Sequence, residues 1–201
     1  MKQEIIGQGA EARLTLKENQ VSKLRIKKSY RITEIDNKLR NRRTKSEAKI
    51  ISKLAKIIPV PKIISTNLNK KEIIMQYILG KKLSTNLEKL NWKKLCKQLG
   101  ETLSLLHNQD IIHGDLTTSN MIYKSDADKI YLIDFGLGFH SRKIEDKAVD
   151  LHLLRQALEA KHYTIWDQAF KIILKNYHAK DHELIIKRIS TIEKRGRYKG
   201  H

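Results

Sequence analysis

Cysteine, proline and long apolar runs are all scarce in this chain of 201 residues. Its single cysteine, Cys96, excludes an intrachain disulfide and a cysteine-based metal site, and its place on an apolar helix face indicates a core residue. Because no run of about 18 apolar residues is present, we expect no contact with a membrane. The first residues, Met-Lys-Gln-Glu, lack the apolar block of a signal peptide, so we expect a reducing, cytoplasmic location.

Acidic residues are few beside the basic ones: 22 Asp and Glu face 41 Lys and Arg, which gives a net charge of +19. The excess is concentrated in residues 23–56, with thirteen basic and three acidic side chains, and in the tail from Lys187 onward. Such a field attracts polyanions, above all nucleic acid, through the release of counterions. The alternative is a lysine-rich surface that only faces solvent.

The order of apolar patterns predicts an α+β fold with two lobes. Strands dominate the first 78 residues, apart from a long helix predicted over 33–58 and ended by Pro59, and helices dominate the rest. Gly80 breaks the pattern between the two halves. We therefore expect an N-terminal lobe of sheet and helix over 1–79 and a C-terminal, mainly helical lobe over 80–201.

A glycine-rich turn, Gly7-Gln8-Gly9-Ala10-Glu11-Ala12, falls between two predicted strands. Glycines allow backbone amides to approach phosphate oxygens, although most turns of this kind are only hairpins. The turn is not followed by Gly-Lys-Ser/Thr, and it does not open a helix. Those two features argue against a Walker-type loop and against a dinucleotide-binding fold.

Lys23 lies on a predicted strand and could hold phosphates in a cleft, but neighbours such as Arg25 leave a surface-charge interpretation open. Its candidate partner is Glu47, one of the few acids in the basic stretch. The alternative for Glu47 is a capping box formed by Thr44-Lys45-Ser46-Glu47, which would require a helix that begins at Thr44.

The polar loop 113–120, His-Gly-Asp-Leu-Thr-Thr-Ser-Asn, precedes an apolar strand that ends at Asp134. Asp115 could act as a general base, and Asn120 offers the neutral oxygen that Mg²⁺ accepts. Burying a carboxylate at the end of a strand is unfavourable unless it is paired, and a metal ion bound at Asp134 would compensate its charge. We interpret His113 as structural, bonded to the backbone.

A glycine-rich hairpin, strand lysine, helix glutamate, Asp-x4-Asn and Asp-Phe-Gly follow one another in the order of the protein kinase superfamily, which the chain resembles over nearly its whole length. It departs from ordinary protein kinases at Gly114, where they have an arginine before the catalytic aspartate. Only sixteen residues separate Asp134 from Asp150, and no Ala-Pro-Glu appears, so little room is left for a peptide-binding platform.

More specifically, the chain resembles the small atypical kinase subunit of the KEOPS complex of archaea and eukaryotes. The stretches that carry the resemblance are 7–12, Lys-Ser-Tyr-Arg at 28–31, Arg-Arg-Thr-Lys-Ser-Glu-Ala at 42–48, the loop 113–120, Asp-Phe-Gly-Leu-Gly at 134–138, Asp-Lys-Ala-Val-Asp-Leu at 146–151, and Arg-Gly-Arg at 195–197. Lys27 departs from the family, where a proline is common.

The resemblance implies a site and an activity. Lys23 and Glu47 would form the ion pair that orients ATP beneath the glycine-rich turn, and Asp115 would be the base. Asn120 and Asp134 would hold Mg²⁺, and Asp150 would brace the catalytic loop. The family acts mainly as an ATPase and regulator, with serine kinase activity, beside a threonylcarbamoyl-transferase and other KEOPS subunits. That assembly modifies the tRNA adenosine next to the anticodon.

Two alternatives to this function stay open at the level of sequence. A RIO-type kinase in ribosome maturation would also combine ATP, a short activation segment and RNA, although the intact Asp-Phe-Gly and Gly-x-Gly turn argue against it. A non-catalytic, RNA-binding subunit with a vestigial nucleotide site would explain the charge but not the full set of catalytic residues.

Overall fold

The computed structural model describes residues 4–9 and 11–197, with side chains as far as Lys194. Ala10, which belongs to the expected nucleotide-binding turn, lies outside the described residues. So do residues 198–201 and the side chains of 195–197, which carry the end of the basic tail.

A five-stranded antiparallel sheet forms the N-terminal part of the fold, in the order β1-β2-β3-β5-β4. Its strands are β1 (Glu4–Gln8), β2 (Ala12–Lys17), β3 (Gln20–Arg25), β4 (Ile63–Asn67) and β5 (Glu72–Gln76). In β3, alternation places Val21, Lys23 and Arg25 on the inner face, where Lys23 is opposite Leu14 and Ile73 in the neighbouring strands. The sheet therefore turns a lysine toward the interior of the fold.

The long helix α1 (Thr33–Leu54) packs against this sheet, and a small apolar cluster of Ala48, Ile73 and Met75 joins the two. The helix ends at Leu54, four residues earlier than expected, because tighter turns follow in which the Ile57 and Ile58 amides both donate to the Leu54 carbonyl. The capping-box alternative is wrong, because Thr44 lies inside the helix and its hydroxyl donates to the Arg40 carbonyl at 2.7 Å.

Five helices form most of the C-terminal part: α2 (Leu83–Asn86), α3 (Trp92–Asn108), α4 (Ile144–Lys161), α5 (Trp166–Lys175) and α6 (His182–Arg197). Between them run short strands that pair as β6-β8-β9 and β7-β10, with bounds β6 (Lys81–Lys82), β7 (Ile111–Ile112), β8 (Met121–Lys124), β9 (Lys129–Leu132) and β10 (Phe139–His140). Gly80 is required just before β6, since a Cβ there would lie 2.5 Å from the Tyr123 carbonyl oxygen.

The main apolar core gathers α3, α4, α5 and α6 around β7 to β9, and the second half of α1 belongs to it through Ile50, Ile51 and Leu54. Cys96 lies in this core, and burial raises the pKa of its thiol to about 12, which makes it an unreactive packing residue. Since α1 packs on both parts of the molecule, the lobe boundary at Gly80 stays a prediction. Among the described residues, no helix is long and apolar enough to cross a membrane.

Candidate active site

Lys23 lies at the centre of the candidate site and joins two carboxylates from distant parts of the chain. Its ammonium is 2.7 Å from Oε1 of Glu47 on α1 and 2.7 Å from Oδ1 of Asp134, which follows β9. Lys23 and Glu47 are buried, whereas the Asp134 side chain is 47% exposed. The expected lysine–glutamate pair is therefore present, and it faces the acid of Asp-Phe-Gly.

Burial and charge act in opposite directions on this group. Burial by itself would lower the pKa of Lys23, but Glu47 and Asp134 outweigh it, so the pKa of Lys23 lies above its usual value. Burial likewise opposes ionisation of Asp134, and the charge and hydrogen bond of Lys23 hold the pKa of Asp134 below its usual value. Lys23 and Asp134 are thus both charged at neutral pH.

Arg25 is a buried part of the site that the sequence did not single out. Its guanidinium donates to Oε2 of Glu47 at 2.5 Å, on the carboxylate oxygen that Lys23 does not use, and its Nε has no hydrogen-bond partner among the described residues. Alternation along β3 was the available signal, since residues 23 and 25 share a face. The density of basic residues around them obscured it.

Asp134 is held in an unusual backbone conformation, with φ of +62°. Few non-glycine residues adopt this left-handed region, and strained positions of this kind persist where the surrounding structure supports them. Here the Gly136 amide donates to Oδ1 of Asp134 at 3.1 Å, and a Cβ on Gly136 would lie 2.9 Å from that same oxygen. Asp-Phe-Gly thus turns the carboxylate toward Lys23 rather than into the core.

The polar loop 113–120 brings Asp115 and Asn120 together. The Asn120 amide nitrogen donates to the carbonyl and to Oδ2 of Asp115, both at 2.9 Å. The loop is tied to the strand before Asp134, because the Ile133 amide donates to the Asn120 carbonyl at 3.0 Å. Asp115 and Asp134 line one cavity, and Asn120 and Asp134 line the adjoining one.

His113 is structural, as the sequence suggested. Its Nδ1 accepts from the Asp115 amide at 3.3 Å and its Nε2 donates to the Ile133 carbonyl at 3.1 Å, which are the two bonds of a neutral imidazole. Burial lowers the pKa of His113, in agreement with the neutral form. The ring therefore links the start of the loop to the strand that delivers Asp134.

Asp150 on α4 braces the same loop from below. Its Oδ2 accepts from the His113 amide at 2.8 Å and its Oδ1 from the Gly114 amide at 2.9 Å. His107 Nε2 also lies 3.3 Å from Oδ2, and Tyr177 contacts the other nitrogen of that ring at 2.7 Å. Gly114, with φ of +79°, leaves no room for a side chain, since a Cβ would lie 2.5 Å from the Leu137 carbonyl oxygen.

The glycine-rich turn closes over the site. Gly7, Gln8, Gly9, Glu11 and Ala12 line a cavity of about 510 Å³ together with Lys23, Asp115 and Asp134. An adjoining cavity of about 250 Å³ has apolar walls that include Ile6, Leu14, Val21, Met75, Ile122 and Ile133. Arg43 on α1 also lines the first cavity, and it donates to Glu11 at 2.8 Å. This contact connects the turn to the helix, and the sequence did not reveal it.

This arrangement of sheet, helix, loop and strand-end acid defines a protein-kinase-like fold. A Rio2 kinase structure from Chaetomium thermophilum, in complex with ADP/Mg²⁺-phosphoaspartate, has a TM-score of 0.64 over 96% of this chain and 70% of that chain. The structure of the bifunctional kinase-methyltransferase WbdD has a TM-score of 0.59 over 90% of this chain and 47% of that chain. Sequence identities of 14% and 16% make these likenesses of fold alone. The prediction of a kinase-like α+β fold is confirmed.

The sequence comparisons are more specific. The RIO domain profile matches residues 13–143. The KEOPS complex subunit Bud32 of Pyrococcus abyssi is 41% identical over 97% of this chain and 96% of its own length. The EKC/KEOPS complex subunit BUD32 of Encephalitozoon cuniculi is 42% identical over 94% of this chain and 93% of its own length. The chain belongs to the RIO domain family and to the family of Bud32 subunits of the KEOPS complex.

Some relatives are much longer. The probable bifunctional tRNA threonylcarbamoyladenosine biosynthesis protein of Methanococcus vannielii is 41% identical over 96% of this chain, which spans only 36% of that protein. The whole of that protein therefore contains a further part that this chain does not match.

Proposed function

We propose that the chain is a Mg²⁺-dependent ATPase and atypical serine/threonine kinase that works as a subunit of the KEOPS complex in threonylcarbamoyl modification of tRNA. The observation that carries the proposal is the contact of Lys23 with both Glu47 and Asp134, beside the bonded pair of Asp115 and Asn120. These are the groups that phosphoryl transfer requires, since it depends on positioning and charge neutralisation.

The two adjoining cavities suit a nucleoside triphosphate. The apolar cavity next to β5 would receive the base, and the cavity under the glycine-rich turn would receive the phosphates near Lys23. Phosphate oxygens would share the Lys23 ammonium with Asp134, while Glu47 keeps the lysine in place. The Gly9 amide donates to the Ala12 carbonyl at 3.0 Å, but a Cβ on Gly9 would meet no described atom within 4 Å, so phosphate could approach the backbone of the turn there.

The side chains available also fit a divalent cation. Oδ2 of Asp134 and the amide oxygen of Asn120 accept no hydrogen bond within the part of the chain that the structure describes, and both side chains line the same cavity. Carboxylate and amide oxygens are the ligands that Mg²⁺ prefers. When bound there, the ion would neutralise charge on the phosphates.

Asp115 would orient and accept the proton of the attacking hydroxyl, whether that belongs to water or to a serine. Its carboxylate is exposed to the cavity and is positioned by Asn120. The His113 and Gly114 amides, fixed by Asp150, hold the backbone from which Asp115 projects.

The place in tRNA modification rests on the relatives. Those that match over nearly their full length are KEOPS subunits, whereas the Rio2 kinase likeness concerns the fold alone. The KEOPS assignment is therefore favoured over a RIO-type role in ribosome maturation. A pull-down with the chain would distinguish the two: recovery of the transferase subunit would support the KEOPS assignment, and recovery of ribosomal precursors would support the alternative.

Replacing Asp134 tests the catalytic part of the proposal. We expect Asp134→Ala to abolish ATP hydrolysis, measured with and without the transferase subunit and tRNA, while circular dichroism shows an intact fold. Asp126→Ala is the matched control, because Asp126 is an exposed acid that pairs with Lys124. Full turnover by a folded Asp134→Ala protein would refute the assignment, and absence of turnover in the wild type under every condition would favour a non-catalytic subunit.

A further inference from the structure

Four basic side chains form a continuous row on the outer face of α1: Lys38, Arg42, Lys45 and Lys49, here called the α1 basic stripe. At about 100° per residue they fall within roughly 60° of arc, and they extend over about 16 Å of the helix axis. Glu47 lies almost diametrically opposite, on the side that faces Lys23. The stripe is therefore on the back of the helix, away from the candidate active site.

The stripe has no internal charge compensation. Among residues 4–9 and 11–194, no ion pair or side-chain hydrogen bond engages any of its four members. The two buried acids of α1 are committed elsewhere: Asp36 binds Arg40, and Glu47 binds Lys23 and Arg25. The exposed acid of α1, Glu34, lies one turn before Lys38, at the N-terminal end of the stripe. The exposed basic groups are thus available to an external partner.

Like charges three and four residues apart destabilise a helix, and the stripe contains three such pairs in succession. A stripe that served only for solubility could alternate with acids, as exposed helix faces commonly do. The arrangement therefore lowers the stability of α1 and raises its attraction for anions.

The basic surface continues past the end of the helix. Lys56 follows two residues after the end of α1, and it lines a shallow cavity of about 400 Å³ with Lys62, Lys129 and Tyr131. An extended basic track with an aromatic ring near one end suits a nucleic acid strand.

We propose that the α1 basic stripe is a direct RNA-binding surface that contacts the phosphate backbone. An acidic protein surface fits less well, because protein interfaces have an apolar centre depleted in lysine. Exposed apolar side chains near the stripe, Ile32 and Ile35, lie only at its N-terminal end. The RNA-binding proposal rests on the proposed function only for the choice of tRNA as the probe. Its test is run without ATP, so it does not depend on catalysis.

The experiment measures binding of the full chain to a fluorescently labelled, unmodified tRNA transcript between about 50 and 300 mM salt. In the stripe variant, Lys38, Arg42, Lys45 and Lys49 are all replaced by Gln. Each phosphate contact contributes roughly 0.7 to 0.9 to the slope of log K against log salt, so we expect the slope to fall by about 3. Affinity at low salt should fall by at least about tenfold.

The matched control replaces four exposed lysines of the C-terminal part, Lys89, Lys97, Lys161 and Lys175, by Gln, with the same change in net charge. We expect its slope to change by less than about one unit. A second variant exchanges Lys and Arg within the stripe and should bind as the wild type does. Thermal melting should show the Gln stripe variant at least as stable as the wild type, because repulsion is removed.

Equal losses of slope in the stripe and control variants would overturn the proposal, because net charge alone would then explain binding. So would unchanged tRNA binding by the folded stripe variant. If that variant lost binding to polyglutamate and kept tRNA binding, the surface would belong to an acidic protein partner. The wild type could prove to lack ATPase activity while the stripe variant, and not the control, loses salt-dependence slope in tRNA binding. That result would support the RNA-binding proposal and contradict only the proposed catalytic function.

Discussion

Arg25 donates to Oε2 of Glu47 at 2.5 Å, and Lys23 occupies the other oxygen of the same carboxylate at 2.7 Å. Both cations come from β3 and the acid from α1, so the helix is fastened to the sheet at two adjacent points. Ordinary protein kinases use a phosphorylated activation segment to hold this helix in place. Here a second buried cation holds the glutamate, in a chain whose segment between Asp134 and Asp150 is short.

We expect Arg25→Gln to lower the free energy of unfolding by about 1–3 kcal/mol, because a buried carboxylate loses a charged donor. If Glu47 positions Lys23 for phosphate as proposed, turnover should fall by about tenfold or more. Urea unfolding and steady-state ATP hydrolysis measure the two effects separately.

Arg13→Gln is the control for this change. Arg13 lies on β2 and is exposed on the outer face of the sheet, so both measurements should stay close to the wild type. Equal effects of the two substitutions would mean that Arg25 acts through general charge rather than through Glu47.

The sequence predicted the lysine, the glutamate and the three polar groups of the site, because each stands at a recognisable place in an ordered series. Arg25 was missed because residues 23–28 contain several basic side chains, and only burial separates them. Lys27 is exposed, whereas Lys23 and Arg25 are 6% and 4% exposed. Burial of that kind depends on the packing of α1 on the sheet, which no local pattern contains.

Other differences have a similar origin. The two-residue strands Ile111–Ile112 and Phe139–His140 were not predicted, because each exists only through pairing with the other across a long stretch of chain. The long helix was expected to continue to residue 58, but α1 ends at Leu54 and tighter turns follow as the chain enters the main core. The helix that carries Cys96 was expected from its apolar face, and α3 contains that residue.

Asp150→Asn should weaken the polar loop 113–120. The buried carboxylate accepts from the His113 and Gly114 amides, and an amide side chain can accept at only one of its two positions. We expect the free energy of unfolding to fall by about 1–3 kcal/mol at pH 7. Equilibrium unfolding in urea measures it, with Asp167→Asn at an exposed position as the control.

The pH dependence of that variant should also differ. Burial opposes ionisation of Asp150, but His107 and the loop amides outweigh it and hold the pKa of Asp150 below its usual value of 3.8. The stabilising contribution is therefore complete above about pH 4 and is lost as the pH falls through the lower, folded-state pKa. The wild type should lose stability more steeply than Asp150→Asn below pH 4, and parallel curves would contradict this origin.

His113 predicts a second, milder pH effect. Its pKa is lowered by burial from 6.5, so the unfolded chain takes up a proton below about pH 6.5 while the folded chain keeps the ring neutral. Stability should therefore fall as the pH drops from 7.5 to about 5.5, by up to about 1.4 kcal/mol per pH unit for this group. In His113→Gln, the free energy of unfolding should depend less steeply on pH than in the wild type, by that amount. His152 and His162, whose pKa values are also lowered, contribute equally in the variant and in the wild type.

Tyr177 supports the polar loop 113–120 from the far side of the core. Its hydroxyl donates to Nδ1 of His107 at 2.7 Å, which places the ring proton on Nε2, toward Asp150. Tyr177→Phe would leave that buried nitrogen without a donor and should lower stability by about 1–3 kcal/mol. Tyr123→Phe removes a hydroxyl that donates to the partly exposed Asp128, so it should have a smaller effect in the same urea titration. Equal losses in the two variants would show that the His107 contact adds nothing beyond an ordinary tyrosine hydrogen bond.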